Sequence, residues 1–447
     1  MTIPLTGASP AGHDAEHGHS SGALANCRML IVAPDDYPSF RVDLVELFSR
    51  HLVDRGLRID WSLRPKAATD ARTERRGAET FHVPRRRTSG AFASLAYAAS
   101  ENWLRFKLAW RAARGDYDLI QVRDHPLWGV AYVVAARIAG RPFIFWMSYP
   151  VLEARMYIAV HDLVPMRWSS RLLRMAYSLV GRALFYGFVL PLADHVVVQS
   201  ERMRERVAAH GIARSKMTPI PMGVSTERYN PGTVAEAIDA RLTGKKSMAY
   251  MCADISSSTT LLAFDTLAAL VDRGYDAVLI VIGAVPAFEQ ERLNARLRRL
   301  GVTDRVIYTG RLPLPEALGW VKRADVCLSP FEMNAVQQVA TPTKLVEYLA
   351  IGRPVVATVH YDQSEVIRQS GGGIVTAFSG EAMAEGVARL FDDPEQAEAM
   401  GARGPLWVKA NRDYAHLADL VEAVYADLLN GQRPAACLTE DRVRLQD

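Results

Sequence analysis

The sequence predicts an α/β protein built from two doubly wound parallel-sheet domains that face each other across a cleft. The first observation is length, because 447 residues exceed the roughly 250 to 300 residues that a single hydrophobic core supports. The second is the alternation of helix-like segments with short apolar runs, which is typical of buried parallel strands. The third is a Pro- and Gly-rich break over residues 217–232, after which a second series of strands begins. This break predicts a domain junction.

The predicted strands are continuous apolar runs bounded by turn residues. In the first half they lie at residues 28–33, 118–122, 142–146 and 195–200. In the second half they are MAYMC, AVLIVIG, RVIYTG, DVCLSP and RPVVATV, between residues 248 and 359. Two open sheets in tandem place the carboxyl ends of their strands at a shared cleft, where ligands bind in this architecture.

The expected domain organisation has five parts, and both domains are expected to be Rossmann-like. They are a disordered polar tail over 1–26, a first domain over 27–225, a second domain over 226–404, a helix over 405–430 and a tail over 431–447. The helix carries the aromatic anchors Trp407, Tyr414 and Tyr425 and is expected to return towards the first domain.

Composition indicates an ordinary globular enzyme, with 49% hydrophobic and 23% charged residues. The four cysteines are far apart and show neither CxxC nor zinc-ligand spacing, so no disulfide framework and no metal are expected. The amino-terminal segment lacks the apolar core of a secretion signal, and the apolar run over 183–193 is interrupted by Pro191 and is too short to cross a bilayer. These features predict a cytoplasmic location.

Charge is distributed unevenly along the chain. Residues 1–230 carry a net charge of +10, whereas residues 231–447 carry −6. The segment 153–193 mixes arginines with aromatic and aliphatic residues, a combination that favours an anionic membrane surface. A helix packed on the core with solvated arginines is the alternative. No nucleic-acid recognition motif accompanies the charge, so no nucleic-acid partner is expected.

The most informative segment is residues 324–358. A strand ends there in a polar loop, and a helix is predicted to open with Thr341 as its N-cap and Pro342 in its first position. A helix that begins in the cleft offers unpaired N–H groups to an anion such as a diphosphate. Lys344 lies in its first turn, and Glu347 follows on the same face, where it could accept hydrogen bonds from ribose hydroxyls.

This segment, P-x11-P-x-K-x2-E-Y-L-A-x-G-x-P-V-V-A-T, resembles the donor-nucleotide loop of the retaining GT-B glycosyltransferases of glycosyltransferase family 4. The segments YDLIQVRDHPLWGV and KMTPIPMGVSTERYNP resemble a first-domain strand and the interdomain linker of that family. The resemblance extends over roughly residues 28 to 430. It implies a GT-B fold and transfer of a sugar from a nucleotide-activated donor, with retention at the anomeric carbon and without a required metal.

The resemblance also implies roles for individual residues. Glu347 would hold the ribose, Thr341, Thr343 and Lys344 would line the phosphate loop, and Gly283 with Arg311 would border the base. Lys344 is the leading catalytic candidate, because it would stabilise the departing diphosphate.

Three departures from the family pattern suggest substitutes. An acid often found eight residues before the ribose glutamate is Val339 here, so Glu332 or Asn334 is a possible replacement. The basic diphosphate clamp is replaced by residues 252–262, where Ser256 and its neighbours could donate neutral hydrogen bonds. The acceptor-side histidine after the fourth strand is absent, which leaves His125 and Arg41 as further catalytic candidates.

We therefore expect a metal-independent hexosyltransferase that extends a lipid-linked or polysaccharide acceptor in bacterial cell-surface glycan biosynthesis, at the inner face of the membrane. Two other function classes remain at this stage, a non-catalytic transferase-like partner subunit and a nucleotide-sugar epimerase. At the residue level, Lys344 and Glu347 could be an exposed pair on a surface helix, and His125 could be structural.

Overall fold

The computed structural model describes residues 22–39, 41–87, 89, 92–161, 167–254 and 258–434. The regular structure consists of two mainly parallel sheets and the helices that cover both faces of each sheet. The predicted α/β class with two Rossmann-like parallel-sheet domains is confirmed.

The first sheet has eight strands in the order β3-β4-β2-β1-β5-β6-β7-β8. They are β1 Arg28–Tyr37, β2 Arg58–Pro65, β3 Arg72–Arg76, β4 Glu79–Val83, β5 Leu119–Arg123, β6 Phe143–Met147, β7 His195–Val198 and β8 Met217–Pro219. All neighbouring strands pair in parallel except β3 and β4, which form an antiparallel hairpin at the edge. The central strands β1, β5, β6 and β7 are those that the apolar runs predict.

The second sheet has six parallel strands in the order β11-β10-β9-β12-β13-β14. They are β9 Lys246–Asp254, β10 Ala277–Ala284, β11 Val306–Gly310, β12 Val326–Ser329, β13 Val355–Thr358 and β14 Gly373–Thr376. In both sheets the central strands are continuous buried apolar runs, because helices cover both faces.

The helices connect successive strands and cover both sheets. In the first domain they are a π-helix over Asp43–Leu52, α1 Ala93–Ala113, α2 Pro126–Ala139, α3 Val151–Val160, α4 Trp168–Leu184, α5 Leu190–Leu192 and α6 Glu201–Ala208. Those that follow are α7 Ser258–Asp272, α8 Ala287–Leu300, α9 Leu314–Arg323, α10 Thr343–Ala350, α11 Tyr361–Ser370, α12 Gly380–Asp392, α13 Pro394–Asn411 and α14 Tyr414–Leu429. Short 3₁₀ turns lie at Arg214–Lys216, Ala240–Leu242, Thr303–Arg305 and Gln337–Val339.

One continuous helix runs through α4, a π-helical turn over Phe185–Val189 and α5, for 25 residues from Trp168 to Leu192. By length and composition this helix is able to cross a membrane, so the sequence-based conclusion that no apolar segment here is long enough was wrong. It was wrong because the helix continues past Arg182 back to Trp168, while Pro191 lies in its last short segment and does not shorten it. One face of the helix packs into the first domain through Phe185, Val189 and their neighbours.

The predicted single helix over 405–430 is two helices in the structure. Helix α13 begins at Pro394, because Asp393 accepts a hydrogen bond from the backbone N–H of Gln396 and so caps the first turn. Pro405 therefore lies inside α13 and does not start it. The helical conformation ends before Asp413, and Asp413 caps α14 by accepting a hydrogen bond from the N–H of Ala415.

Helix α14 completes the core of the first domain. Its buried face, which includes Tyr414, Leu417, Val421 and Tyr425, belongs to the same apolar cluster as β1 and β2. The Tyr425 hydroxyl donates to the side-chain oxygen of Gln121 at 2.6 Å, and both groups are buried.

Helix α13 packs on α10 through glycines, which lets the two backbones approach closely. A Cβ atom at Gly404 would lie 2.4 Å from the carbonyl oxygen of Leu349, and one at Gly401 would lie 2.4 Å from the carbonyl oxygen of Gly352. Both carbonyls belong to the last turn and end of α10. This contact fixes the position of α10 within the second domain.

Gly404→Ala is expected to destabilise the protein by about 1–3 kcal/mol, because the methyl group must displace backbone and not a flexible side chain. Gly187→Ala is the matched control, since nothing lies within 4 Å of a Cβ at Gly187. Urea unfolding of both variants measures the difference. Equal midpoints for the two variants would contradict the packing argument.

Candidate active site

Helix α10 begins at the carboxyl edge of the second sheet, after the loop that follows β12, and this loop contacts Ser200 at the start of α6 in the first domain. The helix starts at Thr343, with Pro342 as its N-cap residue and no side-chain cap. The predicted N-cap role of Thr341 is therefore wrong. Its buried Oγ1 instead accepts a hydrogen bond from the backbone N–H of Met222 in the interdomain linker, at 3.2 Å. The first-turn N–H groups of α10 are left available to a ligand.

Lys344 extends from this first turn over the end of β9. Its Nζ lies 4.7 Å from the centre of the Tyr250 ring. Burial opposes the charged form, but the neighbouring Tyr250 and Cys252 side chains raise the pKa of Lys344 above its ordinary value. Lys344 is thus a cation at neutral pH, in the same turn as the uncapped N–H groups.

Glu347 is one turn further along α10 and is partly buried. Its Oε1 accepts a hydrogen bond of 2.9 Å from the hydroxyl of Tyr229. Burial raises the pKa of Glu347, while the Tyr229 hydrogen bond and the Lys344 charge act in the opposite direction. The interpretation of Lys344 and Glu347 as an exposed surface pair does not fit this setting.

Tyr229 was not identified from the sequence. It lies in the linker at the aromatic position of the interdomain motif, where the resembled family pattern has phenylalanine. A tyrosine at that position adds a hydroxyl, and this difference from the family pattern is the sequence feature that could have identified Tyr229 as a site residue. The hydroxyl fixes the carboxylate of Glu347 in place.

The segment that replaces the basic clamp is only partly described. Ser256 lies outside the described residues, so its predicted role is not addressed. The neighbouring Ser258, the first residue of α7, donates to the Oε2 atom of Glu332 at 2.8 Å. Thr259 is hydrogen-bonded to the hydroxyl of Tyr250 at 2.8 Å. These hydroxyls join α7, β9 and the loop after β12 around the start of α10.

Asn334 and Val339 have structural contacts. The Oδ1 atom of Asn334 accepts hydrogen bonds of 2.9 Å from the N–H groups of Val336 and Gln337 and so caps the following turn. Val339 is buried against the first-domain core, and its carbonyl accepts a 2.7 Å hydrogen bond from Ser200. The position that often holds an acid in the family is therefore part of the interdomain contact.

Gly283 and Arg311 lie at the carboxyl ends of adjacent strands. Gly283 is the penultimate residue of β10, with a φ of 148°, a backbone angle that side chains rarely allow. Arg311 follows β11 directly and is exposed. The structure thus places both residues at the carboxyl edge of the second sheet, the edge from which α10 also begins, and their role at a base stays a prediction.

In the first domain, Arg41 is held in a compact charged cluster. Its guanidinium lies 3.1 Å from Asp43 and 3.6 Å from Asp35. Arg123 is fully buried at the end of β5 and also forms a hydrogen-bonded ion pair with Asp43. Burial opposes ionisation of Asp43, yet Arg123 and Arg41 hold its pKa at about 2. The charge of Arg41 is therefore already compensated by Asp43 and Asp35, which weakens the case for Arg41 as a catalytic residue.

His125 lies where β5 turns into α2. Its Nε2 is 2.8 Å from Nη1 of Arg105, and because a guanidinium can only donate, Nε2 accepts. Burial, followed by the charges of Arg105, Arg64 and Arg155, lowers the pKa of His125 to about 3. The imidazole is therefore neutral at physiological pH, so His125 cannot supply a proton from a charged form.

Asp124, just before His125, organises the same edge. It has a positive φ of 46°, which is uncommon for a residue with a side chain. Its carboxylate accepts hydrogen bonds from the backbone N–H groups of Ser148 and Tyr149, at 2.8 and 3.0 Å. Asp124 thereby fixes the loop that follows β6.

A cavity of about 770 Å³ lies at the opposite end of the first sheet, by the amino ends of β5 to β8. Helix carboxyl ends meet there, and Lys216 donates to the carbonyl of Pro191 at 2.6 Å. Arg137 donates to the carbonyl of Leu192 and pairs with Asp194 at 3.0 Å. The charges of Lys216 and Arg137 are used by the carbonyl groups at the end of a helix and by Asp194, so we assign no ligand to this cavity. Across the described ranges, no three His, Cys, Asp or Glu side chains are grouped in a way that could hold a metal ion.

Two family matches divide the chain as the two sheets do. Residues 44–223 match the family described as Glycosyl transferase 4-like domain, and residues 257–393 match the family described as Glycosyl transferases group 1. Together they cover most of both domains.

Two curated relatives are glycosyltransferases. The chain is 27% identical over 345 residues to the GDP-mannose-dependent alpha-(1-6)-phosphatidylinositol monomannoside mannosyltransferase of Mycobacterium tuberculosis, covering 68% of this chain and 87% of that protein. It is 26% identical over 325 residues to the 2-deoxystreptamine glucosyltransferase of Streptomyces kanamyceticus, covering 71% and 79% respectively.

Solved structures share the fold. Sucrose-phosphate synthase from Thermosynechococcus elongatus superposes with a TM-score of 0.67 at 15% identity, covering 91% of this chain and all of that one. Anabaena HepE in complex with UDP superposes with a TM-score of 0.60 at 15% identity, covering 90% of this chain and all of that one. This likeness confirms the GT-B fold. The chain is a glycosyltransferase enzyme, whose second domain matches the group 1 family and whose first domain matches the 4-like family.

Proposed function

We propose that this enzyme transfers a hexose with retention from a nucleotide-activated donor to a lipid-linked or polysaccharide acceptor in bacterial cell-surface glycan biosynthesis. Retention follows from the resemblance to family 4. The proposed reaction requires no metal, because the protein's own groups neutralise the leaving diphosphate. The names of the relatives, which specify mannosyl and glucosyl transfer, support a hexose as the transferred sugar.

The observation that carries the proposal is the pairing of Lys344 and Glu347 at the start of α10. The uncapped N–H groups of the first turn and the Lys344 ammonium form a preorganised site for a diphosphate. The Glu347 carboxylate, held by Tyr229, is positioned to accept hydrogen bonds from ribose hydroxyls. As negative charge develops on the leaving group, these groups need no reorganisation to stabilise it.

Glu347→Ala is expected to weaken nucleoside diphosphate binding by at least about tenfold and to reduce kcat/KM by about 100-fold or more, because hydrogen bonds to a charged group contribute about 1.5–3 kcal/mol each. Titration calorimetry with UDP and GDP, followed by sugar-transfer assays, measures both effects. Glu385→Ala removes an exposed carboxylate on α12 and is the control. Undiminished turnover in Glu347→Ala would refute the assignment of the donor site.

Tyr229→Phe is expected to weaken nucleotide binding by about three- to tenfold, the loss of one hydrogen bond to a carboxylate. The ribose requires ionised Glu347, so affinity should fall as pH drops through the raised pKa of Glu347. The hydroxyl of Tyr229 lowers that pKa, so in Tyr229→Phe the loss should begin at a higher pH. Tyr275→Phe removes a similar bond to Asp392 away from the cleft and is the control. Superimposable pH profiles for Tyr229→Phe and wild type would exclude this positioning role.

The proposed location is the inner face of the cell membrane, with the protein bound peripherally. Helices α1, α2 and α4 lie side by side on one face of the first sheet, and their outer surfaces are apolar. We call this surface the apolar helix face. Its most exposed large side chains are Phe92, Leu95, Trp103, Phe106, Trp110, Ile138, Trp168, Leu172, Leu173, Leu179 and Val180, with exposed fractions between 56% and 75%.

Charge supports an anionic lipid surface as the occupant of the apolar helix face. The aromatic side chains of α1 alternate with the exposed Lys107, and Arg114 follows the end of that helix. Tryptophans beside cations suit the headgroup region of a bilayer, where an apolar ring and a charged group are both accommodated. The long helix from Trp168 to Leu192 packs one side on the core and presents the other, which favours lying on the membrane over crossing it.

Replacing Trp103 and Trp110 together by serine is expected to reduce binding to vesicles containing phosphatidylglycerol by at least about tenfold, because each buried aromatic side chain contributes roughly 1.5–3 kcal/mol. Vesicle sedimentation at 0.15 M salt measures the binding. Phe288→Ser, which removes an exposed aromatic side chain from α8 in the second domain, is the control. Equal sedimentation of the double variant and wild type would rule out this face as the docking surface.

A further inference from the structure

At the acceptor-side edge of the cleft, one arginine contacts His125 and the charges of two others act on it. Arg105 projects from the middle of α1, is only 4% exposed and contacts the imidazole at 2.8 Å. Arg64 is the penultimate residue of β2, and Arg155 lies in α3, directly after β6. Arg64 and Arg155 are exposed, and their charges both act on His125. The cluster therefore has a buried cation at its base and two accessible cations at its rim.

The charge of this cluster is incompletely balanced by the protein. Arg105 pairs with Glu101 at 2.8 Å, one turn earlier on α1. Arg64 approaches Asp36 only to 4.0 Å, and both groups are exposed. Arg155 lies 4.8 Å from the ring centre of Tyr177 and, among the described residues, forms no ion pair. Because His125 is neutral, three guanidiniums face one close carboxylate, and the cluster keeps a net positive charge.

Backbone groups add to this positive field. Helix α2 begins immediately after His125, with Pro126 in its first position and no side-chain cap. Its first-turn N–H groups and the positive end of a 14-residue helix therefore point to the same edge. The nearby Asp124 carboxylate is paired with Arg123 at 3.8 Å and accepts hydrogen bonds from the loop after β6, so its charge is already shared with another arginine.

Arg105 carries its charge in a nearly fully buried position. Burial, joined by the charge of Arg64, lowers its pKa against the opposing effect of Glu101. A tetrahedral dianion or phosphodiester would relieve the repulsion between Arg105 and Arg64, since arginines and helix N-termini are the protein groups that best match phosphate oxygens. A cationic acceptor such as an amino sugar would be repelled.

We propose that the acceptor carries a phosphate group, seated on Arg105, Arg64 and Arg155 at the start of α2. This inference rests on the proposed function and names the chemistry of its acceptor. The phosphate could be that of a lipid headgroup or of a soluble phosphorylated sugar or polyol. In either case it would anchor the acceptor in the first domain, while its hydroxyl faces the donor held by α10.

The test compares matched probes with and without phosphate, each titrated calorimetrically at 0.15 M salt with GDP or UDP already bound. The soluble pair is glycerol 3-phosphate and glycerol, and the lipid pair is dihexanoyl phosphatidylglycerol and dihexanoylglycerol. Wild type should bind the phosphorylated member of at least one pair at least about tenfold more tightly. A preference in the first pair indicates a soluble acceptor, and a preference in the second indicates a lipid headgroup.

Arg64→Gln and Arg155→Gln should each lose about five- to tenfold in affinity for the phosphorylated probe and leave nucleotide affinity unchanged. Both side chains are exposed, so folding should be preserved, whereas Arg105→Gln could unfold the protein and is not relied on. Arg299→Gln, an exposed arginine of α8, is the control.

Equal affinity for phosphorylated and neutral probes in wild type would overturn the inference, as would unchanged phosphate preference in both variants. Normal nucleotide binding in that experiment would leave the proposed function standing. Failure of wild type to bind any nucleoside diphosphate would overturn the proposed function and this inference with it.

Discussion

The geometry of the site depends on the hydrogen bonds and apolar contacts by which the first domain holds the loop before α10. The carbonyl of Val339 accepts from Ser200, the hydroxyl of Thr341 accepts from the linker N–H of Met222, and the Val339 side chain is buried in the first-domain core. Ser200 also caps α6 by accepting from the N–H of Met203. The first turn of α10 is therefore positioned by contacts with the first domain and with the linker as well as by its own domain.

Tyr229 and the α13 glycines fix the rest of α10. The Tyr229 hydroxyl holds the carboxylate of Glu347 from the linker side, while Gly401 and Gly404 let α13 lie directly on the end of the helix. With its start, its middle and its end each restrained, an eight-residue helix that would be unstable alone becomes a rigid platform. This rigidity suits the proposed donor site, in which the Lys344 ammonium and the N–H groups of the first turn would have to be in position before a diphosphate binds.

The sequence predicted the parts of the fold that follow from continuous apolar runs and missed those that do not. The central strands are buried on both faces, so they appear in the sequence as continuous apolar runs. Strands β3 and β4 instead form a polar hairpin, in which charged residues such as Arg72 and Arg76 protect the sheet edge. Within the site, Lys344 and Glu347 could be found because their spacing is local. The contacts of Thr341 and Arg41 could not, since Thr341 meets the linker and Arg41 shares its carboxylate with an arginine 82 positions away in sequence. The contact of Asn334 is local, but an asparagine that caps a turn has the same sequence pattern as one that faces a ligand.

The return of α14 to the first sheet has a consequence for biosynthesis. Strand β5 contributes Gln121, and the residue that satisfies its buried oxygen, Tyr425, is translated 304 positions later. The amino-terminal half therefore leaves the ribosome with an apolar flank uncovered, along β1 and β2, until the final helix arrives. The core of the first domain can therefore be completed only after the second domain has been synthesised. During that interval the uncovered apolar surface is the part of the nascent chain that chaperones have most to protect.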